Sequence, residues 1–221
     1  MAKTNLFFDR ELTEEQKLFR ESINEWAGKN LPLERVIRMN REERIFPKDI
    51  VEGMADLGLI MATVPKEHVG MGLTWKDMVV IAEEIGYIDP SIATAAGIMA
   101  VETGWGFTLD RYADEEVREK YVKPVMDGKK FMGIASTEPG GGSDVSNFES
   151  TAEKDGDEWI LNGEKKYVGG IRECKKMGGG HWVLVRTGPK IEEAPHKNMT
   201  AFFVPINSEG LDPIQPFDTA G

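Results

Sequence analysis

The feature that most constrains the fold is a change of period along the chain. Up to about residue 130, apolar residues recur every three or four positions. Beyond it, short alternating runs are separated by glycine-rich turns. A chain that changes period in this way folds as helices followed by strands. The expected fold is therefore α+β and multidomain. An all-α N-terminal domain spans residues 1–130, and a small antiparallel β-barrel or sandwich spans residues 131–221.

Caps and stripes mark the helices. Thr13-Glu14-Glu15-Gln16 is a capping-box pattern, and Phe19, Ile23, Trp26 and Ala27 follow on one face. Pro47 suits a first turn, Ile50, Val51, Met54 and Leu57 form the next stripe, and Gly58 suits its end. Thr74 caps a third helix, with Val79, Val80, Ala82 and Ile85 expected inside. The nearly uncharged run from Pro90 to Leu109 reads as a helix buried all round. Asp114 caps a further helix through Val117, Tyr121 and Val122. The expected strands are Phe131–Thr137, Glu149–Lys154, Glu158–Leu161, Lys165–Val168, Trp182–Thr187 and Thr200–Pro205. Asp155-Gly156 and Asn162-Gly163 are the hairpin turns.

Charge and length exclude several functions. Lys plus Arg total 27 against 38 Asp plus Glu, a formal charge of −11. Neither nucleic acid nor an anionic membrane surface is an expected partner for such a chain. The longest uncharged stretch, Pro90 to Val101, is too short to span a bilayer. The first eleven residues lack the apolar segment of a signal peptide, so the expected compartment is cytoplasmic. The single cysteine, Cys174, fits a reducing environment and reads as a bystander beside its lysines. His68, His181 and His196 are far apart and have no ligand spacing, so no metal site is expected. No nucleophile-elbow pattern supports a serine hydrolase.

Two segments carry chemistry. In Thr137-Glu138-Pro139-Gly140-Gly141-Gly142-Ser143-Asp144, three glycines let backbone N–H groups approach a phosphate without obstruction, and Ser143 adds a hydroxyl. Asp144 would repel that phosphate, so it is expected to turn away and cap the loop. On composition alone a flexible hairpin loop is the commoner reading. In Asn162-Gly163-Glu164-Lys165-Lys166-Tyr167-Val168-Gly169-Gly170, Tyr167 can pack on a planar ligand, although sheet packing is the commoner role.

Together the two segments resemble the acyl-CoA dehydrogenase family, whose members carry Thr-Glu-Pro-Gly-x-Gly-Ser-Asp and then Asn-Gly-x-Lys-x-aromatic-aliphatic at similar spacing. Val64-Pro65-Lys66-Glu67-His68-Val69-Gly70-Met71-Gly72-Leu73, Ala82-Glu83-Glu84-Ile85 and Asp89-Pro90-Ser91 are similar to further family stretches. The resemblance runs from Leu12 to Gly221. It implies FAD held against the β domain, with an acyl-CoA thioester along the flavin. By position, Ile134, Ser136 and Thr137 would line the pyrimidine end of the ring, the Thr137 hydroxyl stabilising charge near N1 and O2. Gly142 and Ser143 would bind the cofactor, Ser143 donating to the pyrophosphate or to the substrate's pantetheine. Tyr167, Val168 and Gly169 would form the wall beside the flavin. The implied reaction is α,β-dehydrogenation, in which a carboxylate removes the α-proton while the β-hydride moves to flavin N5. Ser91–Phe107, which includes Glu102, would form one wall of the acyl pocket. An electron-transfer flavoprotein as oxidant and a homo-oligomer are the implied partners.

Three departures qualify the resemblance. The family's third domain, a helical bundle with the usual catalytic Glu, has no counterpart before Gly221, so no catalytic residue is assigned. The chain is expected to be either part of a longer enzyme or a half that requires a C-terminal-domain partner. Gly169 stands where the family commonly has Thr, which removes one contact toward flavin N5 worth about 0.5–1.5 kcal/mol. Ile171–Gly180 looks like an insertion, read as a solvated mobile loop whose Arg172, Lys175 and Lys176 could reach a CoA phosphate or an acidic partner. The rival readings are an acyl-CoA oxidase or flavin monooxygenase of the same architecture, and a non-catalytic subunit that donates half a site.

Overall fold

The structure, a computed structural model, describes residues 12–88 and 106–213. Helices α1 (Glu14–Asn30), α2 (Leu33–Arg38), α3 (Lys48–Asp56) and α4 (Trp75–Ile88) come first, followed by α5 (Phe107–Tyr112). Then α6 (Glu115–Val117) runs through a π-helical stretch, Arg118–Val122, into α7 (Lys123–Met126). The expected starts are present. Gln16 N donates to Thr13 Oγ1 at 3.2 Å and Thr13 N to Gln16 Oε1 at 3.1 Å, a complete capping box. Val117 N donates to Asp114 Oδ1 at 2.8 Å. Gly58 follows α3 at φ 69°.

Helices α1 and α4 pack together, tied by Gln16 Nε2 to Asp77 Oδ1 at 2.6 Å and by Asn24 to the buried Glu84. On α4, Val80 and Ile85 are buried as expected, but Val79 is 55% exposed. The helix turns Met78, Ile81 and Glu84 inward instead. The expected helix from Pro90 falls, until its last turns, outside the described residues. So do the family-like Asp89-Pro90-Ser91 stretch, the acyl-pocket wall before Phe107, and Glu102.

The strands are β1 (Phe131–Ala135), β2 (Thr151–Asp155), β3 (Glu158–Asn162), β4 (Gly179–Arg186) and β5 (Met199–Pro205), with helix α8 (Ile171–Met177) between β3 and β4. They form one open sheet, not a closed antiparallel barrel, and the sheet is mixed. Strand β4 is central, parallel to β1 and antiparallel to β5. The β2–β3 hairpin joins it at Thr151 and Arg186. The physical reason is α8: a parallel pair requires a crossover, and this helix stands immediately before β4. The Ile171–Gly180 segment is therefore not a loop. Its last two residues begin β4, and Ile171–Met177 is a docked helix, with Phe46 N donating to Glu173 Oε1 at 2.6 Å and Arg172 Nη1 to Arg44 O at 2.8 Å. Cys174 is fully buried within it, and that burial pushes its thiol up to about 12, which disfavours the reactive thiolate.

One core joins the two layers. Met132 and Trp182 on the sheet meet Leu109, Val122 and Val125 from the helices. Tyr121 packs tilted and Trp182 edge-on against Phe203, with ring centroids 4.5 and 6.4 Å away. Because side chains alternate along a strand, Gly133 and its β4 partner His181 stand on the other face.

Candidate functional site: a glycine turn and a pinned strap

Where β1 ends, the chain turns tightly. Glu138 N donates to Gly141 O at 2.8 Å and Gly141 N returns a bond to Glu138 O at 3.2 Å, closing a turn on Pro139 and Gly140. Gly140, Gly141 and Gly142 do not adopt left-handed backbone. They serve by the space they leave. A Cβ on Gly142 would lie 3.5 Å from Thr137 Cγ2 and 3.8 Å from its Oγ1, over the hydroxyl. Asp144 turns away as expected. It accepts from Ser146 N at 3.0 Å and Asn147 Nδ2 at 2.7 Å, and the bonds from Ser146 hold its carboxyl below the usual range.

Glu138 is buried, and its side chain fastens this turn to the sheet. Its carboxylate accepts from Glu149 N at 2.6 Å, Ser150 N at 3.1 Å and Lys165 Nζ at 2.6 Å. Lys165 Nζ also donates to Ser136 O at 3.1 Å and to Leu184 O, and lies 4.6 Å from the centre of the Phe148 ring. Burial acts to raise the Glu138 pKa, but the bonds from Lys165, Ser150 and Glu149 outweigh it and hold the carboxyl low. Burial also pulls the Lys165 ammonium down, against the pull of Glu138. The pair therefore fixes geometry more than it adds net stability. Arg186, also buried, donates to Phe148 O, Pro195 O and Ser146 O at 3.1–3.3 Å and so holds the far end of the loop.

The second segment, residues 163–170, lies against the first. Lys166 N donates to Thr137 O at 2.7 Å. The expected strand Lys165–Val168 does not form, and Asn162-Gly163 does not turn a hairpin. Tyr167 is the reason: at φ 56° it leaves the extended region, a conformation that costs a bulky residue about 1–3 kcal/mol. The chain then crosses the sheet face at Gly133, where a Cβ would meet Gly169 O at 2.5 Å and the His181 ring at 2.9 Å. His181 Nε2 donates to Gly169 O at 2.9 Å.

The structure thus brings the two sequence segments together. Ile134 is half-buried against the core. Ser136 and Thr137 give their carbonyls to Lys165 and Lys166. The hydroxyls of Thr137 and Ser143, and the N–H groups of Gly142 and Ser143, have no partner among the described residues. Tyr167 is 68% exposed, Gly169 is exposed and Val168 half-buried. No group of His, Cys, Asp or Glu among the described residues could hold a metal ion. The sequence reading gave no role to Glu138, Lys165, Arg186 or His181. The positions of Glu138 inside the first motif and of Lys165 inside the second were the available signals; Arg186 and His181 had none.

A helical layer on a mixed sheet, with two loops paired where β1 ends, is the architecture to be compared with known proteins. The N-terminal domain of acyl-CoA dehydrogenases matches residues 13–129, and the middle domain of the same family matches residues 133–221. The chain belongs to the acyl-CoA dehydrogenase family. It is 30% identical over 217 residues to the 3-(aryl)acrylate reductase of Clostridium sporogenes, covering 95% of this chain and 52% of that protein. It is 31% identical over 201 residues to the mitochondrial isobutyryl-CoA dehydrogenase of Dictyostelium discoideum, covering 90% and 45%. The crystal structure of an acyl-CoA dehydrogenase from Geobacillus kaustophilus superposes with a TM-score of 0.75 at 28% identity, covering 91% of this chain and 50% of that one. The chain thus spans about half the length of the curated relatives it matches. Among the described residues, no helix is long and apolar enough to cross a membrane.

Proposed function

We propose that this chain builds the flavin-facing part of an FAD-dependent acyl-CoA dehydrogenase, an oxidoreductase of acyl-CoA thioesters. One observation carries the reading. The bond from Lys166 N to Thr137 O brings the strap that carries the exposed Tyr167 against the strand end that carries Thr137, whose hydroxyl has no partner among the described residues and is left open by Gly142.

The residues fit FAD. The Gly142 and Ser143 amides with the Ser143 hydroxyl suit a diphosphate, and the family resemblance would have Ser143 donate either there or to a substrate's pantetheine. Ile134, Ser136 and Thr137 would line the pyrimidine end of the ring, where Thr137 donates toward developing negative charge. Tyr167, Val168 and Gly169 would form the adjoining wall. FAD, when bound, supplies the acceptor for the hydride leaving the β-carbon of the thioester. The chain's own part is to bind, orient and stabilise charge. No residue here is assigned as the α-proton base. An electron-transfer flavoprotein as electron acceptor and a homo-oligomeric assembly complete the proposal.

Titration of the chain with FAD, followed by flavin fluorescence, tests it. Thr137→Val and Ser143→Ala should each raise Kd about 3- to 10-fold, the equivalent of one hydrogen bond. Identical affinity and flavin spectrum in both variants and the wild type would contradict the assignment.

A further inference from the structure

Two facts about His181 require explanation. It is 2% exposed in the central strand, and its Nδ1 has no hydrogen-bond partner among the described residues. An orphaned polar atom at such a depth is costly, and an apolar residue would fill the same place without the penalty. The other ring nitrogen supplies the reason for keeping a histidine. Nε2 carries the proton, because its partner at 2.9 Å is a carbonyl, that of Gly169. Burial also keeps the imidazole neutral, since it lowers the pKa more than this bond raises it.

Gly169 needs such a fixing point. It is exposed, and among the described residues nothing lies within 4 Å of where its Cβ would be and no side chain restrains it there. Left-handed residues stand near it on both sides, Tyr167 two positions before at φ 56° and Gly170 immediately after at φ 82°. A run of this kind relaxes unless its surroundings hold it. Its hydrogen bond to the rest of the molecule is the one from His181, and it fits only because Gly133 beneath has no Cβ.

We propose that His181 is a positioning residue. From inside the sheet, it fixes the Gly169 peptide in the orientation that faces the flavin. The inference rests on the flavin-facing reading above and adds to it the group that orients the wall. His181 itself does not touch the ring.

His181→Leu and His181→Gln test this in the 221-residue chain. Leucine fills the space but cannot donate, while the glutamine amide nitrogen can reach the position of Nε2. With leucine, the backbone order parameters of Gly169 and Gly170 should fall from about 0.85 to below about 0.6. Its melting temperature should hold or rise, because the orphaned nitrogen is gone. The absorption spectrum of bound FAD should shift and Kd for FAD should rise about 3- to 10-fold. Glutamine should restore rigidity, spectrum and affinity together. Unchanged order parameters in the leucine variant would overturn the inference and leave the proposed function intact. So would a loosened segment with unchanged flavin spectrum and affinity. A wild-type chain that takes up no FAD at saturating concentration would overturn the proposed function, and the orienting role with it.

Discussion

The turn from Glu138 to Asp144 and the strap from Gly163 to Gly170 lie side by side, but they are held in opposite ways. Apart from the Glu138 side chain, which is fastened to Glu149, Ser150 and Lys165, the turn is closed by its own backbone and by an aspartate that caps the next residues, with contacts two or three positions apart. The strap makes few bonds of its own. Lys165 reaches Glu138 and Leu184, Lys166 reaches Thr137, and Gly169 is held by His181. A locally closed loop keeps its shape when one distant contact is lost. A loop held from outside can be released at a single point, which suits a surface that has to be oriented toward a ligand.

The largest expected effect breaks this contrast at its strongest point. Lys165→Met leaves the Glu138 carboxylate buried without its cation, and should cost about 3–5 kcal/mol in urea unfolding. Adding Glu138→Gln should recover much of that loss. A single-variant cost below about 1 kcal/mol would show that the strap has other supports. The pH profile follows from the direction of the Glu138 shift. Its folded pKa is depressed, so its contribution is present above the ordinary carboxyl value of about 4.3 and is lost as pH falls through the depressed value. Glu138→Gln should flatten that acid limb.

Gly133→Ala should cost about 1–3 kcal/mol, since its Cβ would press on backbone and on a buried ring. Asp144→Ala, on the locally closed side, should cost about 1 kcal/mol and leave the strap unmoved, as seen in strap amide chemical shifts. Gly169→Thr should change stability by less than about 0.5 kcal/mol, because the space is open, while shifting the spectrum of bound FAD. A large destabilisation there would mean that the strap is packed more tightly than its exposure shows.

The same contrast explains what could be read from the sequence. Local rules gave the helix starts at Thr13 and Asp114, the end near Gly58, and the Asp155-Gly156 turn, where a two-residue link joins Asp155 to Glu158. They gave the outward turn of Asp144 as well. They failed where partners are distant. The parallel pairing of Phe131 with Gly179 cannot be seen in either segment alone. Alternation at Lys165–Val168 suggested a strand, and the left-handed Tyr167 prevents it. Glycines at both ends hid the apolar face formed by Ile171, Cys174 and Met177, so helix α8 read as a loop. The two motifs marked the two segments that the fold brings together. The buried Lys165 and His181 that orient it look in sequence like an ordinary surface lysine and a stray strand histidine.

Amide hydrogen exchange with and without FAD tests most directly whether turn and strap form one binding rim. Bound FAD should slow exchange in residues 141–143 and in residues 166–170 together, with little change in the β2–β3 hairpin. Protection confined to one of the two segments, or to neither, would contradict it.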